Sequence, residues 1–178
     1  MGDRLQIGLI QVYTGNGKGK STAAFGQAIR AVGAGLKVAI IQFLKFSKGY
    51  SEHNALSLFK PNVSIESFGR QGFIDKSGPL EEDYKLAQEA FQNAIKKASD
   101  KEVDLLILDE LNIALYYNLI DINSVLSFLK NKPRDLEIII TGRYASPEII
   151  KIADLVTEMK EIKHPYEKGL MARKGIEY

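Results

Sequence analysis

Between Gly8 and Phe25 an apolar run, a glycine-rich turn and a helical pattern follow one another without a break, and this order constrains the fold most tightly. Gly8-Leu9-Ile10-Gln11-Val12-Tyr13 reads as a strand, Gly15-Asn16-Gly17-Lys18-Gly19 must turn, and Lys20-Ser21-Thr22-Ala23-Ala24-Phe25 opens a helix. Glycines let successive amides point into one concavity, and a helix N-terminus adds unsatisfied N–H groups and the positive end of its dipole. The product is a cradle for phosphate oxygens. Lys20, expected to face solvent, would neutralise phosphate charge, and Ser21 would reach a magnesium ion. Gly15, Asn16, Gly17, Gly19 and Thr22 complete the nucleotide-binding set, while Lys18 reads equally well as a solvated residue or a phosphate contact. The general pattern G-x-x-x-x-G-K-[ST] asks for glycine at position 14, where this chain has Thr14, so the loop read from Gly15 is one residue short.

Beyond the cradle, apolar and β-branched runs at residues 7–13, 38–42, 63–67, 105–108, 137–140 and 155–159 read as buried strands. Residues 21–32, 80–98, 122–129 and 147–152 carry apolar positions at helical spacing. Pro79 and Pro147 suit first helical positions, Asp121 and Ser146 suit N-caps, and Gly33 with Gly35 ends the first helix. The alternation implies an α/β fold: a mostly parallel sheet of about six strands with helices on both faces and ligand sites beyond the strand C-termini. A chain of 178 residues, 45% hydrophobic, is long enough for one substantial core and short for two, so residues 1–178 are expected to form a single domain. The connections 43–60 and 68–78 fall near the ligand edge, where substrate loops gather.

Leu105-Leu106-Ile107-Leu108-Asp109-Glu110 is an apolar strand ending in two carboxylates at that edge. Acids after a strand also serve as helix caps, but beside a phosphate cradle such a strand places its acid near the metal. Asp109 is therefore assigned, with Ser21, to the metal shell, and Glu110 to orienting water or a second metal contact. Lys20, Asp109 and Glu110 make up the catalytic set. Arg143, after Ile138-Ile139-Ile140-Thr141-Gly142, reaches the same edge as a surface salt-bridge residue or a phosphate contact. His53 and His164 stand apart, without the spacing of a metal pair, and read as surface or packing residues.

Twenty-four basic against 22 acidic residues, a net charge of +2, lacks the electrostatic footprint of a nucleic-acid binder. The absence of cysteine excludes disulfides, thiolate metal sites and a cysteine nucleophile, and fits an intracellular setting. No apolar run approaches the roughly 20 residues of a membrane span, and Met1 to Gln6 has no signal-peptide core, so no membrane partner and a cytoplasmic location are expected.

Taken together these residues resemble the P-loop class of ATP:corrinoid (cob(I)alamin) adenosyltransferases. The likeness runs through Val12 to Gly26, Gln42-Phe43-Leu44-Lys45, Leu108-Asp109-Glu110-Leu111, Ile140-Thr141-Gly142-Arg143 and Lys163-His164-Pro165-Tyr166, and closes on Gly169, Ala172 and Gly175-Ile176-Glu177-Tyr178. The shortened, lysine-doubled loop is itself a feature of that family. The resemblance implies a RecA-like P-loop NTPase fold, ATP as co-substrate, magnesium or manganese, a homodimer and a flavoprotein reductant. It implies that a reduced corrinoid, cob(I)alamin or cob(I)inamide, attacks the 5′-carbon of ATP and expels triphosphate, with ATP bound in an orientation reversed from that of ordinary ATPases. It also implies that Phe73 faces the corrinoid and helps keep the lower axial base off cobalt. Two departures accompany it: the family's corrinoid loop often carries a tryptophan shortly after its glycine-phenylalanine pair, where this chain continues Ile74-Asp75, and family members often have a longer N-terminal arm. Such a displacement needs an in-line approach and a stabilised leaving group but no protein base, in keeping with a chain that shows no histidine or cysteine constellation. An ATPase or small-molecule kinase, or a nucleotide-gated corrinoid carrier without turnover, would use the same cradle.

Overall fold

The computed structural model describes residues 5–46, 51–72, 74, 75 and 77–177. In chain order the elements are β1 (Ile10–Thr14), α1 (Lys20–Gly33), β2 (Val38–Phe43), α2 (Ser51–Ser57), β3 (Val63–Phe68), α3 (Glu81–Ser99), β4 (Leu105–Asp109), α4 (Leu111–Tyr116), α5 (Ile122–Lys130), β5 (Glu137–Thr141), α6 (Pro147–Ile152) and β6 (Leu155–Glu158). A 3-10 turn follows at Pro165–Lys168. The strands make one sheet in the order β3-β2-β4-β5-β1-β6, and every neighbouring pair is parallel. All C-terminal strand ends therefore share one edge of the sheet.

Strand alternation divides the core into two layers. Ile10 and Val12, then Ala39, Ile41 and Phe43, then Leu106, Leu108, Ile138 and Ile140 face helices α3 to α6. Val38, Ile40, Leu105, Ile107 and Ile139 face α1 and α2. A parallel strand covered on both faces has no polar side to show, so residues 38–41 of β2, 105–108 of β4 and 138–140 of β5 read as unbroken apolar runs. The outer strand β6 departs from this. Expected to be buried, it is exposed along its whole length, with Leu155 at 43% and Val156 at 41%, because it pairs only with β1 and belongs to neither apolar layer.

Local chemistry sets the element ends. Asp121 and Ser146 accept hydrogen bonds from Ser124 N and Ile149 N as N-caps, and Pro147 takes the first turn of α6. Pro79 lies one residue before the N-cap of α3 instead of in its first turn: Leu80 is the N-cap, and the Asp83 carboxylate accepts from Leu80 N at 2.9 Å. The first strand begins at Ile10, three positions later than expected, because Gly8 passes over the 132–136 turn. There Gly8 N donates to Arg134 O at 2.8 Å, and a Cβ on Gly8 would lie 2.1 Å from Leu136 backbone atoms. Among the described residues no helix is long and apolar enough to cross a membrane.

Candidate functional site

Thr14, the residue that breaks the general glycine pattern, closes β1 and pairs with Glu158 of β6. The loop beyond it runs against residues 158–160. Gly17 N donates to Met159 O at 2.6 Å, and a Cβ on Gly15 or Gly17 would lie 2.5 or 2.7 Å from that same oxygen. Two of the glycines are thus required by a neighbouring backbone as well as by the turn, and Gly19 adds a φ of 121° that disfavours any side chain. Lys20, expected to face solvent, is only 8% exposed. As the first residue of α1 it folds back over the loop, and its Nζ donates to Gly15 O at 2.8 Å and Gly17 O at 2.7 Å. Burial pushes its pKa down against the attraction of Glu110. Lys18 turns the other way, donating to Ile176 O at 2.8 Å and pairing with Glu177 at 3.2 Å, so the C-terminal segment rests on the loop. Arg173 binds Glu177 as well, and its hydrogen bonds hold that carboxyl below the usual range.

At the C-terminal edge of the sheet, neighbouring strands place Ser67, Gln42, Asp109 and Thr141 side by side, with Gln42 in register with both Ser67 and Asp109. Gln42, Asp109 and Thr141 are fully buried. Asp109 sets the direction of every bond, because a carboxylate only accepts. Gln42 gives it Nε2 at 2.9 Å, which leaves Oε1 to accept from Ser67 Oγ at 2.7 Å and His53 Nε2 at 2.6 Å. Thr141 Oγ1 donates to Asp109 Oδ1 at 2.7 Å, and Ser21 of the phosphate loop adds a further hydrogen bond to Asp109. The loop and the β4 acid expected to share a metal are therefore in contact.

Lys45 completes this cluster. Its Nζ lies 2.7 Å from Asp109 Oδ2 and 5.8 Å from the centroid of the Phe25 ring, and its side chain is 14% exposed. Burial opposes ionisation of Asp109, but the Lys45 ammonium and the donated hydrogen bonds hold its carboxyl below the usual range. Burial opposes the charge on Lys45 too, and the same carboxylate outweighs it and raises its pKa. Sequence reasoning gave Lys45 and Gln42 no role. Their signals were a lysine two residues beyond a strand at the ligand edge and an amide inside an apolar strand. His53, read as a surface or packing residue, is half-buried and bonded to Gln42.

Glu110 leaves the strand with a left-handed φ of 65° and becomes the N-cap of α4, while its N–H donates to Thr141 Oγ1 at 3.0 Å. Burial, and then the neighbouring Asp109, push its pKa above the usual carboxylate range. Gly142 makes room for it: at φ 127°, a Cβ there would lie 3.2 Å from Glu110 Oε2. Arg143 follows, exposed, on the wall of the same cavity.

That cavity has a volume of ≈ 1020 Å³. It gathers Asn16, Gly17, Lys18, Gly19, Lys20, Ser21, Thr22, Glu110 and Arg143, leaving Gly15 and Asp109 just behind its wall. The connection between β3 and α3 supplies Arg70, Gly72 and Ile74, and the C-terminal segment supplies Ile176 and Glu177. Arg70 is fixed by its Nε at 2.9 and 3.0 Å from the two oxygens of buried Asp83. Phe73, expected to face a corrinoid, lies outside the described residues, while both of its neighbours line the cavity.

Residues 6–178 match the family model described as ATP:corrinoid adenosyltransferase BtuR/CobO/CobP. The chain is 38% identical over 175 residues to the corrinoid adenosyltransferase of Pseudomonas aeruginosa, covering 98% of this chain and 86% of that protein. It is 37% identical over 171 residues to the corrinoid adenosyltransferase of Escherichia coli strain K12, with coverage of 96% and 86%. Against the corrinoid adenosyltransferase CobA of Salmonella typhimurium the identity is 36% over 171 residues, again covering 96% and 86%.

Proposed function

The chain belongs to the ATP:corrinoid adenosyltransferase family, and we propose that it transfers the 5′-deoxyadenosyl group of ATP to the cobalt of a reduced corrinoid with release of triphosphate. One observation carries the reading to this chain's own residues. A single cavity joins the phosphate loop to the connection that contains Phe73, so a nucleotide and a large second substrate would meet in one enclosure.

In this reaction a bond forms between cobalt and C5′ while the bond from C5′ to the triphosphate oxygen breaks. The cobalt supplies the electron pair, and the triphosphate leaves with the pair from the broken bond. Loop amides of residues 15–19 and the N-terminus of α1 would receive the phosphates, with Lys20 and Arg143 countering the charge that grows on the leaving group. The two carbonyls that now accept from Lys20 lie in the same loop, so its ammonium is already held over the cradle.

The residues fit a divalent ion. Ser21 and Asp109 are hydrogen-bonded to each other, and Glu110 stands beside them as a second carboxylate. Magnesium or manganese, when bound, would supply further neutralisation of the phosphates. Ser21 and Asp109 would hold it, with Glu110 as a second contact or orienting water. Among the described residues no three of His, Cys, Asp and Glu gather as metal ligands, so the remaining ligands would be phosphate oxygens and water. Phe73 would press on the corrinoid from its loop. We further propose, from length and composition, a single cytoplasmic domain, and, on the strength of the family resemblance, a homodimer served by a flavoprotein reductant.

Mixing the protein with ATP, magnesium and a chemically reduced corrinoid should produce the absorbance of an alkyl-cobalt species, which illumination then destroys. An unchanged spectrum over many expected turnovers would contradict the reading.

A further inference from the structure

We propose that Lys45 is a further triphosphate-binding cation beside Lys20 and Arg143, held on Asp109 and transferable to phosphate oxygens in the cavity. Only the choice of triphosphate as ligand rests on the adenosyl-transfer reading; the placement of Lys45 does not. Lys45 and Ser21 bond the same carboxylate, so the ammonium sits beside the loop hydroxyl that adjoins Lys20. Of the ion pair, Lys45 is the member that lines the cavity, whereas Asp109 is fully buried behind it.

The backbone is built to aim this side chain. Leu44, immediately before it, takes a left-handed φ of 58°, which is costly for a leucine and persists only where its surroundings enforce it. The enforcing contacts are visible. Leu44 N donates to Phe68 O at 2.8 Å, and Gly69 approaches so closely that a Cβ would lie 2.4 Å from both Leu44 C and Lys45 N. The Phe25 ring, 5.8 Å from the ammonium, favours its charge without taking one of its hydrogen bonds.

The chemistry calls for such a group. A departing, fully ionised triphosphate carries more negative charge than Lys20, Arg143 and a divalent ion cancel together, and two of the three Lys20 donors are directed at Gly15 and Gly17 carbonyls. An ion that draws on the charge of Asp109 weakens its hold on Lys45, and the flexible lysine stem lets the ammonium move to a phosphate while remaining over Phe25.

A purely structural ion pair is separated from this by measuring the binding of inorganic triphosphate in EDTA, by calorimetry and without corrinoid. Lys45→Met alone leaves a buried, unpaired carboxylate, so the deciding comparison is Asp109→Asn against the double variant Lys45→Met/Asp109→Asn, neither of which contains one. Asp109→Asn should bind triphosphate more tightly than the native chain, because the carboxylate that competes with phosphate for Lys45 is gone. Adding Lys45→Met should weaken binding about tenfold or more relative to Asp109→Asn, the scale of a lost charge-assisted hydrogen bond. Equal affinity in the single and double variants would overturn the assignment. So would an Asp109→Asn protein that binds no more tightly than the native one. Either result would leave the adenosyl-transfer reading standing, since no corrinoid takes part.

Discussion

Lys20 occupies a place a lysine seldom holds, buried at 8% exposure with its ammonium turned onto two carbonyls of its own loop. Its removal should be felt mainly in the reaction. Lys20→Ala should lower turnover roughly 100-fold or more, the usual cost of deleting an oriented charge stabiliser, in a steady-state assay of adenosyl transfer. Near-native turnover would remove Lys20 from the machinery. Glu110 gives a prediction in the opposite direction, on stability. Because burial and Asp109 raise its pKa, the folded chain keeps a proton that the unfolded chain has already released. Stability from this group is complete below its unfolded pKa and is lost as pH rises through the raised folded value. Thermal melts without nucleotide or metal should therefore show Glu110→Gln gaining on the native protein as pH rises from acid to neutral. A difference independent of pH would contradict the raised pKa.

The loop between β1 and α1 is shaped by the backbone just beyond the end of β6. Gly17→Ala would bring a Cβ within 2.7 Å of Met159 O, a backbone atom that cannot step aside cheaply. It should destabilise the fold by about 1–3 kcal/mol in urea unfolding. Gly26 is the internal comparison, since a Cβ there meets nothing within 4 Å and the position lies inside α1. Gly26→Ala should stabilise by about 0.5–1 kcal/mol through helix propensity alone. Equal effects at the two positions would show that the contact with Met159 is not what requires glycine. At this scale the sequence was readable wherever a segment carried its own signal. The phosphate loop, the buried strands β2, β4 and β5, and the caps at Asp121 and Ser146 all lie where their chemistry placed them. What escaped depended on distant partners. The short helices α2 and α4 lack the proline start that marks the comparably brief α6, and the exposure of β6 follows from its place in the strand order. Lys45 is positioned by Gly69 and Asp109, neither of them near it in the chain.

On the scale of the whole molecule, the all-parallel sheet brings the ends of β1, β2, β4 and β5 to one edge. The phosphate loop, Lys45, the Asp109 and Glu110 pair and Arg143 meet there, although they are spread over most of the sequence. The same edge would serve a phosphoryl-transfer enzyme, so the identity of the phosphorus product is the most direct test of the central claim. Phosphorus NMR of a reaction containing ATP, magnesium and chemically reduced corrinoid should show inorganic triphosphate accumulating in step with the alkyl-cobalt absorbance. ADP and orthophosphate in its place, with the corrinoid unaltered, would contradict adenosyl transfer by this chain.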